Sequence, residues 1–388
     1  MEMNCEIRPA IIAIGYNRPN SLQRLLKSIG DARYDYEGIT LVISIDRSDV
    51  ADAVIDVAQR FEWGHGQKVI RTFEERQGLR SHILQCGDLS EQYGAVIVLE
   101  DDIVVSPEFY NYTVEALAFY KDKEKIAGVA LYSHKYNGYA KKLFEPVHKG
   151  FDTYMGQFGV SWGQCWSAVQ WKGFKEWYEI HKDSGLNYHE NIPSAVTKWP
   201  ETSWGKYFVH YIVECDKYYV MPYEALATCF ADVGQHVLRS NSTHQVPLLM
   251  GRRKYRFASF DEAEKYDIFF ESVTLKQYFP SEIADDLCVD LYNLLGRVSR
   301  NRYLLRSTEE PYKKIGSYGM MMKPKELNIR YAIAGDDIFL YDTQIYSKKE
   351  KSSVGKNIYY ESYGMEWKTA MRYGILEFCR RLKKKILK

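Results

Sequence analysis

AVIVLEDDIVVSPEFYNYTVEAL (residues 95–117) joins an apolar run to three consecutive acids and then to a helical pattern. An uninterrupted apolar run of this length, closed by polar chain, reads as a strand buried on both faces. Ser106 then caps a helix with Pro107 in its first turn, which carries Phe109, Val114, Leu117, Phe119 and Tyr120 inward. Working outward, AIIAIGY (10–16) is a second buried strand, followed by NRPNSLQRLLKSIG. There Asn20 or Ser21 caps, Leu22, Leu25, Leu26 and Ile29 share a helical face, and Gly30 stops the helix. ITLVISID (39–46) and residues 68–71 are further strands, with helices over 50–61 and 79–89 and another strand over 126–132. Repeated βα units with fully apolar strands predict an α/β fold around a mostly parallel, doubly wound, Rossmann-like sheet flanked by helices. Ligands bind such sheets beyond the carboxyl ends of the strands, where Tyr16–Arg18, Asp46 and Glu100–Asp102 converge.

Three adjoining carboxylates at a strand end need water, partners or a cation, because an unpaired buried charge is very costly. Hard divalent cations take oxygen ligands and leave positions for substrate phosphates, so the cluster suits a metal–diphosphate. A solvated acidic loop is the other reading. No G-x-x-x-x-G-K-[ST] occurs, which disfavours a P-loop ATPase, and no G-x-G-x-x-G follows the first strand. Asp336-Asp337 reads as a turn cap.

The 388 residues carry a net charge of +1, so a nucleic-acid-binding role is not expected. Tyrosine numbers 32 and lifts the aromatic share to 15%, which suits sugar rings as well as it suits a biased composition. The 7 cysteines are scattered and never spaced C-x-x-C. A disulfide framework or a zinc site is therefore not expected, and a cytoplasmic protein is. The charge is unevenly spread. Residues 365–388 contribute +6, leaving −5 on the rest, and Trp367, Met371, Ile375, Phe378, Leu382 and Ile386 recur at helical spacing between the bases. That is the pattern of an amphipathic helix lying on an anionic membrane surface, making the protein peripheral on the inner leaflet.

IIAIGYNRPNSLQRLLKSI, ISIDRSD and VIVLEDDIVVSPEFYNYTVEAL, in this order and spacing, resemble the GT-A glycosyltransferases. Within that fold they look most like the N-acetylglucosaminyltransferases of complex N-glycan branching and the family 2-like bacterial polysaccharide glycosyltransferases. FGVSWGQCW, WPETSW and PYEALATCFADVGQH follow more loosely, so the resemblance covers about residues 8–240. It implies that Asp102 holds Mn²⁺ or Mg²⁺ on the diphosphate of a nucleotide-sugar, with His236 as a late metal ligand. It implies that Asp101 and Glu100 hold ribose and donor sugar, that Asp46 reads uracil, and that Gly15, Tyr16, Asn17 and Arg18 line the nucleotide. Arg80 or His82 would reach base or phosphates. Inverting relatives place a base after a tryptophan, but Gly205-Lys206 follow Trp204 here. Glu201 is the nearest carboxylate, with Asp152 and Asp232 in reserve. Gly159 and Gly163 would let the loop GVSWGQCW approach the donor, and Trp162, Trp166 and Trp204 would offer faces to an acceptor, at least one of them being core instead.

The expectation is a metal-dependent, inverting transferase acting on a lipid-linked glycan acceptor in bacterial surface polysaccharide synthesis. A nucleotidyltransferase on sugar phosphates and a non-catalytic sugar-binding protein are the alternatives. The expected organisation is a catalytic domain over 1–245, a partly helical extension over 246–364 and the basic helix over 365–388.

Overall fold

The computed structural model describes residues 7–186, 191–230, 232, 242–295, 300–348, 360–361 and 366–386. Strands β1 (Ala10–Gly15), β2 (Leu41–Ile45), β3 (Lys68–Thr72) and β4 (Ala95–Glu100) form a parallel block in the order β4-β1-β2-β3. β1 and β2 are buried along their whole length and β4 up to Glu100, as continuous apolar strands between two helical layers should be. Helix α1 (Pro19–Gly30) turns Leu22, Leu25, Leu26 and Ile29 onto this block, each at most 1% exposed. Burying such a side chain is worth about 1.5–3 kcal/mol, so the row fixes the helix to the sheet. Neither Asn20 nor Ser21 caps α1. The chain enters through Arg18 and Pro19, because proline already supplies a helical φ and has no N–H to satisfy.

Register sets the site. Ile14 lies opposite Glu100 and Gly15 opposite Ile45, so three strands end level and deliver Tyr16, Asp46 and Glu100–Asp102 to one edge. Helices α2 (Ala51–Arg60), α3 (Leu79–Asp88) and the single turn α4 (Ser90–Tyr93) link these strands. β5 (Ile103–Val105) follows the acids, and α5 starts at Phe109 and runs to Tyr120. Ser106 Oγ does accept the Glu108 N–H (3.1 Å), but Pro107 lies ahead of the helix.

β6 (Ile126–Ala130) is followed by a small ribbon, β7 (Tyr136–Asn137) with β8 (Lys142–Leu143), and then by β9 (Thr153–Gly156) and β10 (Gln164–Ser167). β10 corrects the reading of GVSWGQCW as a loop. It lies antiparallel between β4 and β6, with Cys165 and Trp166 fully buried. The capping box of Ser167 and Gln170 then starts α6 (Ala168–His181). After the turn α7 (Ser194–Thr197) and helix α8 (Trp204–Glu214), β11 (Tyr218–Pro222) pairs with β6 and β9, and β12 (Ala227–Cys229) pairs with β5. β13 (Lys265–Tyr266) completes a nine-stranded sheet ordered β13-β9-β11-β6-β10-β4-β1-β2-β3.

The chain divides into two compact units, Met1–Phe279 with Leu294–Arg297, and Pro280–Asn293 with Val298–Lys388. The boundary expected at 245 therefore falls inside the first unit, because β13 belongs to its sheet. The extension is also less helical than expected. Its centre is a four-stranded sheet of β14 (Leu287–Asp290), β15 (Tyr303–Arg306), β16 (Tyr312–Tyr318) and β17 (Ile338–Tyr346), ordered β14-β15-β17-β16. A helix over Trp367–Ile386 ends the described chain, with Trp367, Met371, Ile375, Phe378 and Leu382 all exposed. Among the described residues no helix is long and apolar enough to cross a membrane.

Candidate active site

The level strand ends open on a cavity of about 160 Å³ whose wall includes Gly15, Tyr16, Asn17, Arg18, Asp46 and His82. Glu100, Asp101, Asp102 and Asp232 complete its acidic side. Asp46 is 4% exposed and its Oδ1 accepts the N–H groups of Arg47 (2.8 Å) and Gln77 (2.7 Å). Its Oδ2 accepts the Gly78 N–H (3.0 Å), an approach made from φ +76°, where glycine bears no Cβ penalty. A carboxylate has about four lone-pair sites, so one of Asp46's remains for a ligand donor. His82 Nε2 pairs with Ser44 Oγ at 2.7 Å, and burial pushes its pKa down to about 4, keeping it neutral.

Arg18 faces the acids with two donors. Its Nη2 pairs with Asp101 Oδ1, its Nε reaches Asp101 Oδ2 at 3.3 Å, and Nη2 stands 3.9 Å from Asp102 Oδ2. The fork favours ionised Asp101, but burial outweighs it and pushes that carboxyl up to about 6. Burial, then repulsion from Asp102 and Asp101, pushes Glu100 up to about 8, and burial also raises Asp102. Asp232 is held by Arg24 and by Ser21 Oγ (2.8 Å), and these contacts keep it below the usual range despite partial burial. Five carboxyl groups line the cavity against Arg18 and Arg76 in the wall and Arg24 on Asp232; with Glu100 largely protonated, the excess is a single negative charge, which still favours a cation.

Among the described residues no group of three His, Cys, Asp or Glu side chains is arranged to hold a metal ion by itself. The donor set fits a magnesium-like ion held by one or two carboxylates, with substrate phosphates and water filling the other positions. His236, expected as a further ligand, lies outside the described residues.

Several expected residues are directed elsewhere. Arg80 turns away from the cavity, its Nη1 donating to Glu201 O (2.8 Å) and Tyr207 Oη (2.9 Å). Glu201 does not line the cavity, and its carboxylate accepts from Lys206 Nζ and from Tyr207 Oη (3.0 Å). The Lys206 contact lowers its pKa, which makes it a weaker base than a group poised near neutrality. Asp152 is paired with Arg253 and with the Arg256 N–H (2.6 Å), on the wall of a different cavity. Trp204 is 3% exposed, edge-on to Trp166 and Phe208, so it is core and offers no face to an acceptor. Trp162 is half-buried, 4.6 Å from the Tyr132 ring and stacked on His244. Asp337 Oδ2 accepts the Met320 N–H (3.2 Å), which agrees with a turn cap.

The sequence gives little warning of Ser21, Arg24 and Arg76. Ser21 and Arg24 meet Asp232 across more than two hundred residues, and Arg76 stands 5.2 Å from the Tyr16 ring. Their only signal is their position, one helical turn or one loop beyond a strand end.

No family model and no curated protein sequence matches this chain. Solved structures do. Residues 1–349 of S. aureus TarS in complex with UDP-GlcNAc match at 11% identity over 59% of this chain and 60% of that one, with a TM-score of 0.36. A mannosyltransferase from Pyrobaculum calidifontis, PcManGT in complex with GDP-Man and Mn²⁺, matches at 13% identity over 55% of each chain, with a TM-score of 0.32. The match spans less than two thirds of the length of either.

Proposed function

We propose that the chain is a metal-dependent glycosyltransferase that moves a sugar from a nucleotide-sugar to a glycan acceptor. The observation that carries the proposal is the acidic cavity at the level ends of β1, β2 and β4, whose carboxylates exceed their cationic partners. Transfer needs a nucleoside diphosphate to leave, and a bound Mn²⁺ or Mg²⁺ would supply Lewis-acid stabilisation of that developing charge. Asp102, with His236, is the proposed ligand set. Asp101, kept in place by the Arg18 fork, and Glu100, largely protonated near neutrality, present an acceptor and a donor to ribose and sugar hydroxyls. The lone-pair site left on Asp46 suits the ring N–H of uracil, so UDP is the proposed nucleotide.

We assign removal of the acceptor hydroxyl's proton to Asp232 ahead of Glu201 and Asp152 on position alone, because it is the one of the three that lines the cavity; its pairing with Arg24 lowers its pKa just as Lys206 lowers that of Glu201. In-line attack assisted by that carboxylate inverts the anomeric centre. The acceptor is proposed to be lipid-linked, in surface polysaccharide synthesis on the inner leaflet. The support is the Trp367–Ile386 helix, whose exposed apolar residues alternate with bases as an anionic membrane requires.

The test is product analysis with UDP-sugars and Mn²⁺. Transfer or slow hydrolysis releases UDP, and Asp102→Ala abolishes it. Release of pyrophosphate would mean nucleotidyl transfer instead. One observation favours a second reading, a sugar-nucleotide-binding protein without turnover: Lys206 follows Gly205 and occupies Glu201, where a base was expected. UDP binding that ignores metal, with no product, would establish it.

A further inference from the structure

A larger cavity, about 490 Å³, opens in the first unit beside the carboxyl end of β11. Its volume falls among small-molecule sites of about 300–1,000 Å³. The segment from Pro222 to Leu226 lines it and runs on through β12 to Phe230, whose N–H reaches Asp102 O at 2.6 Å. The two cavities therefore share one stretch of chain.

Its charges are close to balanced. Lys135 and Arg253 face Glu145, Asp152 and Glu224, which leaves a single negative charge. Arg253 is committed to both Asp152 and Glu224, and Lys135 Nζ donates to Tyr223 O at 3.0 Å. Such a lining offers no surplus of positive charge to a phosphate or nucleotide. Instead it alternates donors, acceptors and rings, which is what a ring of neutral hydroxyls needs. Tyr223 and His148 lie 4.3 Å apart, ring to ring, on its wall.

Two tyrosine hydroxyls in its wall lack a protein partner among the described residues. Tyr112 is 0% exposed, lines the cavity, and among the described residues its Oη has no hydrogen-bond partner. Tyr255, another wall residue whose ring centre stands 5.0 Å from that of Tyr112, has a buried Oη in the same condition. Buried hydroxyls are almost always satisfied by protein, water or ligand, so a neighbouring pair in the wall of a cavity marks where a polar group from the cavity, a water or a sugar hydroxyl, would bind.

We infer that this cavity is a saccharide-binding subsite, taking a neutral sugar residue or polyol at a place separate from the acidic cavity. In giving the acceptor a place to rest, the inference deepens the transferase reading and depends on it. The binding itself does not.

The experiment is saturation-transfer NMR without nucleotide or metal, using glucose, galactose, N-acetylglucosamine and ribitol, with inorganic phosphate as the anionic probe. At least one neutral probe binds the wild-type protein, and Tyr112→Phe weakens it about 3–10-fold, the loss of one hydrogen bond. The same substitution leaves the thermal midpoint of the free protein unchanged or higher, since the hydroxyl it deletes has no partner there. Glu224→Gln, on the exposed rim, weakens binding as well and decides the matter if Tyr112→Phe does not fold. No transfer to any neutral probe, displacement of the sugars by phosphate, or equal binding by the variants overturns the subsite. Repeating the titration with the Asp102→Ala protein separates the two ideas. Sugar binding retained there while wild-type protein turns over no UDP-sugar keeps the subsite and sinks the transferase.

Discussion

Replacing Arg18 with methionine tests the electrostatic account of the acidic cavity most directly. The guanidinium forks Asp101 and stands 3.9 Å from Asp102 Oδ2. Two unit charges at that distance interact by about 4 kcal/mol at an effective dielectric of about 20. Arg18 is 24% exposed and Asp102 27%, so little of this is lost to solvent, while methionine recovers the desolvation cost of the arginine. Removing one partner of a buried pair costs about 3–5 kcal/mol, and the lower end, about 3 kcal/mol, is expected at about pH 8. The loss depends on pH in a known sense. Burial already raises Asp101 to about 6, and without Arg18 it rises further above its unfolded value. The folded state then holds protons that the unfolded chain has released, so the variant loses stability as pH increases. Urea unfolding at about pH 5 and pH 8 measures the difference, and the deficit is expected to shrink to about 1 kcal/mol at the lower pH. Adding Mn²⁺ stabilises the variant more than the wild type, because the ion replaces a missing positive charge and binds only the native state. A variant as stable as the wild type at pH 8, or a deficit indifferent to both pH and Mn²⁺, would refute the reasoning.

Other substitutions probe other parts of the structure. A Cβ on Gly87 would stand 2.1–2.4 Å from the buried Trp171 ring, so Gly87→Ala costs about 1–3 kcal/mol by chemical denaturation despite alanine's better helix propensity; a neutral or stabilising result contradicts the packing of α3 on α6. Burial holds His82 and His134 down to about 4 and about 3, so the unfolded chain takes up protons that the native state refuses. Stability therefore falls as pH drops below about 6.5, by at most about 1.4 kcal/mol per unit for each histidine, and His134→Phe should flatten that slope. Deleting residues 365–388 should move the protein from vesicles containing anionic lipid to the soluble fraction, and equal sedimentation of the truncated chain would remove the membrane role.

The parallel half of the sheet was legible because β1 and β4 are uninterrupted apolar runs, β2 is broken only by Ser44, β2 and β4 end at acids, and α1 repeats Leu22, Leu25, Leu26 and Ile29 on one face. β10 was not. Four residues carry no measurable period, and the glycines and serine ahead of Gln164 imitate a loop. The second sheet was missed because β16, YKKIGSY, is partly exposed along its whole length and mixes lysine and glycine among its tyrosines. At the site, local sequence indicated Asp46 and Glu100–Asp102 because each directly ends a strand. Glu201 and Arg80 were misjudged for the opposite reason. Their partners, Lys206 and Tyr207, belong to α8, and only the folded chain brings that helix against α3.

The antiparallel strand lodged between β4 and β6 has a consequence for biosynthesis. When Glu100 has left the ribosome the parallel block is complete on one side, yet the other edge of β4, entirely apolar, has no neighbour until Gln164–Ser167 emerges. At about 5–20 residues per second that interval lasts roughly 3–13 s. During it β6 is already synthesised and is a parallel partner of the same hydrophobic character, able to occupy the vacant edge one strand too early. A chain that paired β6 there would have to reopen before β10 could enter, and an unpaired apolar edge is a template for association with other nascent chains. Slower translation would lengthen the interval in which that edge of β4 lacks its native neighbour instead of shortening it.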